Sequence, residues 1–229
     1  MRLIGCMNGY NDEAMLTRSL PALRRVVDVL VYADGAYAGF PPYDPRTSES
    51  VDGSVDLARA YADVVILPPA PRGAPWPNEI VKRSAYLIGR RDDYYLVVDA
   101  DEVVEVMRDD GTINPLGKID VATLTQRDDW MVTLARAGDS TAEYPIHRLF
   151  RHRDGIRYHG THHAVHVGDV MIHPSALKRE VPDSVFPRLR LSHLWNQRDT
   201  DRVERKGAYY RDALGPLEHE FRAANGLGR

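Results

Sequence analysis

Residues 94–102 have the sequence Tyr94-Tyr95-Leu96-Val97-Val98-Asp99-Ala100-Asp101-Glu102, in which an apolar and aromatic run leads directly into an acidic segment. Such a run, bounded by polar residues, is typical of a buried strand. Crowded carboxylates repel one another and are costly to remove from water, so a cluster at a strand end usually needs a cation. Carboxylate oxygens suit Mg²⁺ or Mn²⁺, which typically also bind substrate phosphates. The segment is therefore a candidate cation site, and the alternative is an acidic turn in solvent.

The chain before this segment alternates strand-like and helix-like stretches. Strands are predicted at residues 3–7, 28–33, 63–67 and 94–98, and helices at 12–27, 54–62 and 78–90. This order predicts an α/β fold with a mostly parallel central sheet flanked by helices. Ligands of such sheets bind beyond the carboxyl ends of the strands. Because Asn11, Asp34 and Asp99 each follow a strand, we expect them to meet at one edge of the sheet.

The rest of the chain has a different pattern, with short strand-like stretches and no long helix between them. These stretches fall at residues 121–126, 130–135, 146–151 and 164–167, and a helical region follows from residue 200. The second half is thus predicted to be more β-rich and to end in C-terminal helices. No repeat or linker marks a boundary, so we expect one domain over residues 1–229, with halves at 1–105 and 106–229.

Composition restricts the class of protein and its partners. The chain has one cysteine, which excludes an internal disulfide and fits a reducing compartment. No apolar run approaches the about 20 residues that span a bilayer, so a cytoplasmic protein is expected. Residues 147–211 hold 13 Lys and Arg against 7 Asp and Glu, although the whole chain has a net charge of -3. This asymmetry predicts an anionic partner such as a nucleotide diphosphate, or else a solvated basic face.

Several stretches, in this order and spacing, carry a resemblance to a known family. They are residues 6–13 (Cys-Met-Asn-Gly-Tyr-Asn-Asp-Glu), 31–35 (Val-Tyr-Ala-Asp-Gly), 82–85 (Lys-Arg-Ser-Ala), 99–102, 148–151 (Arg-Leu-Phe-Arg), 158–163 (Tyr-His-Gly-Thr-His-His) and 191–193 (Leu-Ser-His). The chain resembles family 2 glycosyltransferases of the GT-A fold over most of its length. This resemblance implies a transferase that takes a sugar from a UDP- or GDP-type nucleotide sugar with the help of Mn²⁺ or Mg²⁺.

The resemblance also implies roles for individual residues. Asp34 would bind the base or ribose, Arg83 would lie near the base or diphosphate, and Asn11 would belong to the same donor site. Asp99 would hold the ribose or the metal, whereas Asp101 and His193 would be metal ligands. Independently of the resemblance, a basic helical stretch follows His193 from Arg198 to Arg211. From it, Lys206 or Arg205 would reach the diphosphate.

Two departures from the family pattern concern the donor loop and the catalytic base. The Asp-Gly-Ser-x-Asp run of the family is split here, because residues 34–35 and 52–54 are separated by a long loop. The acidic residue expected after the Gly-x-x-His element is Ala164. An inverting enzyme needs a base for the acceptor hydroxyl, and a retaining enzyme does not. Because that acid is missing, the candidate substitutes for the base are Asp128, Asp129 and His163.

Two other functions and several acceptors stay open. A sugar nucleotidyltransferase would use a similar sheet, but its basic phosphate loop is missing, because residues 5–10 contain no Lys or Arg. A non-catalytic nucleotide-sugar binding module would be consistent with Ala164, which stands where the family has an acidic residue. The acceptor is a glycan, a lipid-linked sugar, a protein or a modified nucleic-acid base, and the basic second half would suit nucleic acid. The histidines of residues 159–166 are phosphate or acceptor contacts, structural residues or a zinc site.

Overall fold

The computed structural model describes residues 1–40, 48–69, 73–107, 110, 112–118, 131–137, 146–160, 164–172, 189–194 and 200–224. Twelve strands occur within these ranges. They are β1 Leu3–Gly9, β2 Val29–Asp34, β3 Val64–Ile66, β4 Tyr94–Val97, β5 Glu102–Met107, β6 Ile113–Pro115, β7 Met131–Ala137, β8 Ile146–Arg151, β9 Ile156–Tyr158, β10 Val165–Val167, β11 Val170–Ile172 and β12 Leu189–His193.

The helices of the described ranges lie at the two ends of the chain. They are α1 Glu13–Arg24, α2 Ser54–Tyr61, α3 Glu79–Ala85, α4 Thr200–Tyr209 and α5 Gly215–Ala224, with a π-helical turn at Tyr210–Leu214 between the last two. Helix α3 begins where the side chain of Asn78 accepts a hydrogen bond from the Val81 N–H at 2.9 Å. No helix in the described part of the chain is long and apolar enough to cross a bilayer.

Nine of the described strands form one mixed sheet in the order β3-β2-β1-β4-β8-β7-β12-β5-β6. The first four are parallel to one another, and β8 pairs antiparallel with β4. Strand β12 lies parallel to β7 and antiparallel to β5, and this pairing brings the end of β12 beside the acidic segment. The three remaining strands form a small antiparallel sheet in the order β11-β10-β9.

Both faces of the parallel block are apolar, as expected for strands that are covered on two sides. Side chains of alternate residues point to opposite faces of a strand. On one face Met7, Tyr32 and Leu96 belong to the core that contains Leu16 and Leu20 of α1. On the other face the residues between them pack with α3 and the small sheet; these are Ile4, Cys6, Val31, Ala33, Tyr95 and Val97. Helices therefore flank the sheet.

The α/β architecture predicted from the sequence is confirmed, and the carboxyl ends of β1, β2 and β4 lie at one edge. Several boundaries differ from the prediction by a few residues, most of all at the end of α3, and strand β5 is not among the predicted ones. Helix α3 ends at Ala85 rather than near residue 90, because Gly89 packs against Tyr95 and donates its N–H to the Tyr95 hydroxyl at 2.7 Å. Strand β5 begins at Glu102, directly after the acidic turn. The predicted strand at 121–126 lies outside the described residues.

Candidate functional site

A cleft opens at the edge of the sheet where β1 and β4 end, beside α3 and α4. Its void measures about 400 Å³, part of it open to solvent. The lining side chains combine acids, bases and aromatic rings. The acids are Asp12, Glu79, Asp99 and Asp101, the bases are Lys82, Arg83 and Lys206, and the aromatic rings are Tyr10, Tyr37 and Phe40.

The acidic segment forms a tight turn between β4 and β5. The Glu102 N–H donates to the Asp99 carbonyl oxygen at 2.9 Å, and the Glu102 carboxylate accepts from the Asp99 N–H at 2.9 Å. These two bonds fold the turn so that Asp99, Ala100 and Asp101 all line the cleft. Glu102 faces inward and is fully buried. The turn therefore separates the carboxylates that the sequence places together.

Two buried arginines hold Asp99 from opposite sides. Arg83 donates to one carboxylate oxygen at 2.7 Å, and Arg148 donates to the other at 3.0 Å. Arg148 also donates to Glu102 at 2.7 Å, and both guanidinium groups are 2 % exposed. Two of the three clustered carboxylates are thus compensated by arginine, whereas the sequence pattern alone suggested a cation.

Glu79 extends this network along α3. Its carboxylate contacts the Arg83 guanidinium at 2.9 Å, and the spacing of four residues puts both on one face of the helix. The network therefore alternates in charge through Glu79, Arg83, Asp99, Arg148 and Glu102. Burial alone would raise the pKa of Asp99, but Arg148 and Arg83 hold that pKa well below its ordinary value. Asp99 is consequently an anion engaged with protein cations.

Asp101 lies on the wall of the cleft next to this network. The residue belongs to the lining and is 5 % exposed. Its carbonyl oxygen accepts from the Leu194 N–H at 2.7 Å, so the residue after β12 is fixed to the turn. In the pairing of β12 with β5, His193 stands opposite Glu102. The fold thus brings the backbone of His193 to the acidic turn, while its side chain lies outside the described part of the structure.

Lys82 joins the ends of two parallel strands. Its ammonium group is fully buried and donates to the carbonyl oxygens of Gly9 at 2.7 Å and Gly35 at 2.6 Å. Burial lowers the pKa of Lys82 to about 8, although Asp34 and Asp12 act to raise it. This side chain fixes the separation of β1 and β2 at the cleft.

Asp34 is the last residue of β2, at the predicted edge, and it is fully buried. Its carboxylate accepts from the Ser50 N–H at 2.8 Å and from the Ser50 hydroxyl at 2.7 Å. Burial raises the pKa of Asp34, opposed by Lys82 and by the Ser50 hydrogen bonds. Asp34 does not belong to the described residues that line the cleft. Its nucleoside role stays a prediction, and its observed contacts fasten Ser50 to the sheet.

Asn11 has a similar tethering position. It adopts a positive φ of 51°, and its side-chain oxygen accepts from the Val51 N–H at 2.8 Å. Its own N–H donates to the Ser50 hydroxyl at 2.9 Å. The turn between β1 and α1 is therefore tied to the segment before α2. Like Asp34, Asn11 is not among the described residues that line the cleft.

The C-terminal helices supply the remaining cation of the cleft. Lys206 of α4 lines the cleft, and its ammonium group lies 5.6 Å from the centroid of the Tyr210 ring. Burial raises the pKa of Asp99, and Arg148 and Arg83 lower it most. Lys206 also lowers it, by a smaller amount than the two arginines. The prediction that a basic helix reaches this edge thus corresponds to the observed position of Lys206.

A divalent cation in the cleft would need carboxylate or imidazole donors close together. Within the described ranges, no group of three or more His, Cys, Asp or Glu side chains stands at metal-binding spacing. Mg²⁺, however, usually binds through one or two carboxylates together with substrate phosphates and water. Asp101 on the cleft wall fits that mode of binding. Asp99 fits it less well, because both of its oxygens already contact arginine.

The candidate catalytic bases fall in other parts of the chain. Asp128, Asp129 and His163 lie outside the described residues, so their roles stay predictions. Ala164 is buried, and its carbonyl oxygen accepts from the His159 N–H at 3.2 Å. The rings of His159 and His166 meet edge to face with centroids 5.0 Å apart on the small sheet. Burial, with His159 and Arg157, lowers the pKa of His166 to about 4.

Sequence reasoning missed several residues of the site. Glu79 has a local signal, since it stands four residues before Arg83 on a predicted helix. Tyr210 has no such signal, because its contact with Glu79 joins residues 131 positions apart. The same holds for Arg148 and Asp99, which are separated by 49 positions. Only the fold brings these pairs together.

Comparisons with known proteins give similarity at the level of solved structures alone. No protein-family model matches the chain, and no curated protein matches it. The chain is similar to S. aureus TarS 1–349, with 16% identity and a TM-score of 0.41, over 63% of this chain and 38% of that one. TarS 1–349 with UDP gives a TM-score of 0.42 at the same identity and coverage. TarS 1–349 with UDP-GlcNAc gives 0.37, again at 16% identity, over 63% of this chain and 37% of the other. The chain thus spans less than two-fifths of these TarS structures.

Proposed function

We propose that this chain is a GT-A-type glycosyltransferase that binds a nucleotide-diphosphate sugar in the cleft and transfers the sugar to an acceptor hydroxyl. The observation that carries the proposal is the cleft itself. It lies at the carboxyl edge of a parallel block, where α/β sheets bind ligands. Its wall combines Asp101, Lys206 and aromatic rings. The resemblance of the sequence motifs to family 2 glycosyltransferases points to the same reaction.

The charge of the cleft supports a requirement for a divalent cation. Its lining carries four carboxylates against three cationic groups within the described residues, a formal charge near -1. A diphosphate would add further negative charge to this wall, and like charges at short distance are costly in a partly buried site. Mn²⁺ or Mg²⁺ would reverse the sign of the local charge. Two of the three cations, Lys82 and Arg83, already bind protein groups.

The residues divide into groups with different tasks. Asp101 would hold the cation together with diphosphate oxygens, and His193 is the second proposed ligand. The cation would stabilise the negative charge that develops on the leaving nucleoside diphosphate. Lys206 would contact the same diphosphate, whereas Arg83 keeps Asp99 ionised and oriented. Tyr37 and Phe40 are buried and supply the aromatic part of the wall.

The acceptor and the base complete the proposal. An acceptor hydroxyl of a glycan, a lipid-linked sugar, a protein or a modified nucleic-acid base would enter from the open side of the cleft. If the reaction inverts configuration, Asp128, Asp129 or His163 would take the hydroxyl proton. The donor is a UDP- or GDP-type sugar, and UDP is the first probe to test because it is the nucleotide in the TarS complex.

The test compares Asp101→Asn with a matched variant far from the cleft, Asp56→Asn, whose side chain is 88% exposed on α2. We expect donor hydrolysis and transfer with Mn²⁺ to fall about 100-fold or more in Asp101→Asn, since a cation supplies several kcal/mol of charge stabilisation. Asp56→Asn should match wild type. EDTA should abolish the activity and Mn²⁺ should restore it. Full activity of Asp101→Asn, or of wild type in EDTA, would contradict the metal-dependent reaction.

The same assay separates the two alternative functions. A binding module would take up a nucleotide sugar with no release of the nucleoside diphosphate, with or without an acceptor. A nucleotidyltransferase would instead form a nucleotide sugar from a nucleoside triphosphate and a sugar phosphate, and would release pyrophosphate. Detection of UDP, but not of pyrophosphate, is the result expected for a glycosyltransferase.

A further inference from the structure

The C-terminal helices are fastened to the cleft by aromatic packing. Tyr209 is buried, and its ring centroid lies 4.8 Å from that of Tyr37 and 5.8 Å from that of Phe40. Both partners line the cleft and follow β2. The contact joins residues that are more than 160 positions apart, so it forms only when the helices dock on the sheet edge.

A π-helical turn follows this anchor directly. The Gly215 N–H bonds to the Tyr210 carbonyl oxygen, five residues earlier, and so closes the wider turn. A Cβ atom at Gly215 would stand 2.6 Å from that same oxygen, so the close approach requires glycine. π-Helical turns are rare and often occur at functional sites. Tyr210 is the first residue of this turn, so its side chain extends from the point where the helix widens.

Glu79 of α3 is the residue that the C-terminal helices contact through Tyr210. It is 2 % exposed, and its two carboxylate oxygens serve different partners. One oxygen accepts from the Arg83 guanidinium at 3.0 Å, and the other accepts from the Tyr210 hydroxyl at 3.0 Å. The buried carboxylate thus connects the α3 arginine to the C-terminal helices.

Tyr210 continues this connection to the ammonium group of the cleft. Its hydroxyl binds Glu79, while the face of its ring lies 5.6 Å from the Lys206 ammonium. A cation at this distance from an aromatic centroid is attracted by the ring. Contacts therefore run without a gap from Asp99 through Arg83, Glu79 and Tyr210 to Lys206.

We propose that Glu79 and Tyr210 are positioning residues that hold the Lys206 ammonium group against the diphosphate of the donor. The inference deepens the proposed function and rests on it. Without the bond to Glu79, the Tyr210 ring and the lysine above it lose their fixed position. The long lysine side chain then loses more conformational entropy when it contacts the ligand. The contribution of Lys206 to binding depends on a hydrogen bond that touches neither the lysine nor the ligand.

A double-mutant cycle on UDP binding tests this dependence. The dissociation constant of UDP with Mn²⁺ is measured by titration calorimetry for wild type, Tyr210→Phe, Lys206→Met and the double variant. Hydrogen bonds to charged groups are worth about 1.5–3 kcal/mol, so Lys206→Met should weaken binding by about tenfold or more in the wild-type background. In the Tyr210→Phe background the same change should weaken binding by about twofold or less. Phenylalanine retains the aromatic ring, so the substitution removes only the hydroxyl that donates to Glu79.

Tyr209→Phe is the matched control. It removes a hydroxyl from the neighbouring residue, and that hydroxyl accepts a long bond of 3.4 Å from the Glu79 N–H, whereas the Tyr210 hydroxyl donates to the Glu79 carboxylate. The full cost of Lys206→Met should persist in this background. Equal costs of Lys206→Met in the wild-type and Tyr210→Phe backgrounds would overturn the proposal, because a general disturbance of the fold gives additive effects.

Failure of the proposed function gives a different result. If wild type binds neither UDP nor GDP with Mn²⁺, the donor assignment is wrong, and the positioning contact is then judged on the ligand-free protein. Tyr210→Phe should speed amide hydrogen exchange across Thr200–Tyr209 and the π-helical turn relative to Tyr209→Phe. Exchange as slow as in wild type would overturn the positioning role without reference to any ligand.

Discussion

Removal of Arg148 should destabilise the chain far more than removal of a neighbouring arginine in the same strand. Arg148 and Arg151 both belong to β8. The Arg148 side chain is 2 % exposed and pairs with Asp99 and with the fully buried Glu102. The Arg151 side chain is 29% exposed and pairs with Asp92, itself 53% exposed. The two substitutions to methionine thus separate a buried ion pair from a surface one.

The magnitudes follow from burial. Loss of one partner of a buried ion pair costs about 3–5 kcal/mol, because the charge that remains is poorly solvated. Arg148→Met should therefore lower the free energy of unfolding by about that amount. A chain of this size loses about 2–4 °C of Tm per kcal/mol, so its Tm should fall by about 6–20 °C. Exposed pairs contribute about 0–1 kcal/mol, and Arg151→Met should stay within that range.

Urea denaturation followed by circular dichroism measures both variants. A third variant identifies the cause: Glu102→Gln added to Arg148→Met neutralises the carboxylate that lost its cation. We expect it to recover about 1 kcal/mol or more of the lost stability, since contacting residues couple by about 0.5–3 kcal/mol. An Arg148→Met protein as stable as Arg151→Met, or no recovery in the double variant, would refute the argument that arginine compensates the acidic turn.

Two further perturbations test the ionisation of Asp99 and the position of Asp34. Because folding lowers the pKa of Asp99, its ion pairs contribute stability that is present above its ordinary pKa of 3.8 and is lost as pH falls through the folded value. The difference in unfolding free energy between wild type and Asp99→Asn should therefore shrink below pH 4, and a constant difference would contradict the assignment. Asp34→Ala should weaken nucleotide-sugar binding by about 1–3 kcal/mol if Asp34 contacts the nucleoside. Ser50→Ala, which removes one of the bonds that Ser50 makes to Asp34, is measured alongside it; unchanged affinity in Asp34→Ala would locate the nucleoside elsewhere.

The parallel block could be predicted because its signals are local. Each of the first strands is an apolar run, and each is followed by a helix with its own periodicity, so the carboxyl edge followed from the order of elements. The acidic turn was found for the same reason. Strand β5 was missed although it alternates, with Glu102, Val104 and Val106 buried. The acidic pattern of residues 99–102 groups its first residue, Glu102, with the candidate cation site instead of with a strand.

The partners of the acidic residues could not be predicted. Crowded carboxylates require compensation, but the sequence does not say whether a metal or an arginine supplies it. Arg148 reaches Asp99 because β8 pairs antiparallel with β4, which no local pattern encodes. Asp34 was predicted at the correct edge, yet its burial depends on Ser50, sixteen residues later. Long-range pairing therefore decides which polar groups face the cleft.

The central claim is that the cleft beside Asp101 binds a nucleotide-sugar donor through a divalent cation. A crystal structure of the chain with UDP and Mn²⁺, with the metal identified by its anomalous signal, tests it most directly. We predict a Mn²⁺ ion about 2.0–2.6 Å from an Asp101 carboxylate oxygen, the range of hard cation–oxygen contacts, with the diphosphate between the metal and Lys206. A diphosphate bound outside the cleft, or a metal with no Asp101 oxygen among its ligands, would contradict the claim.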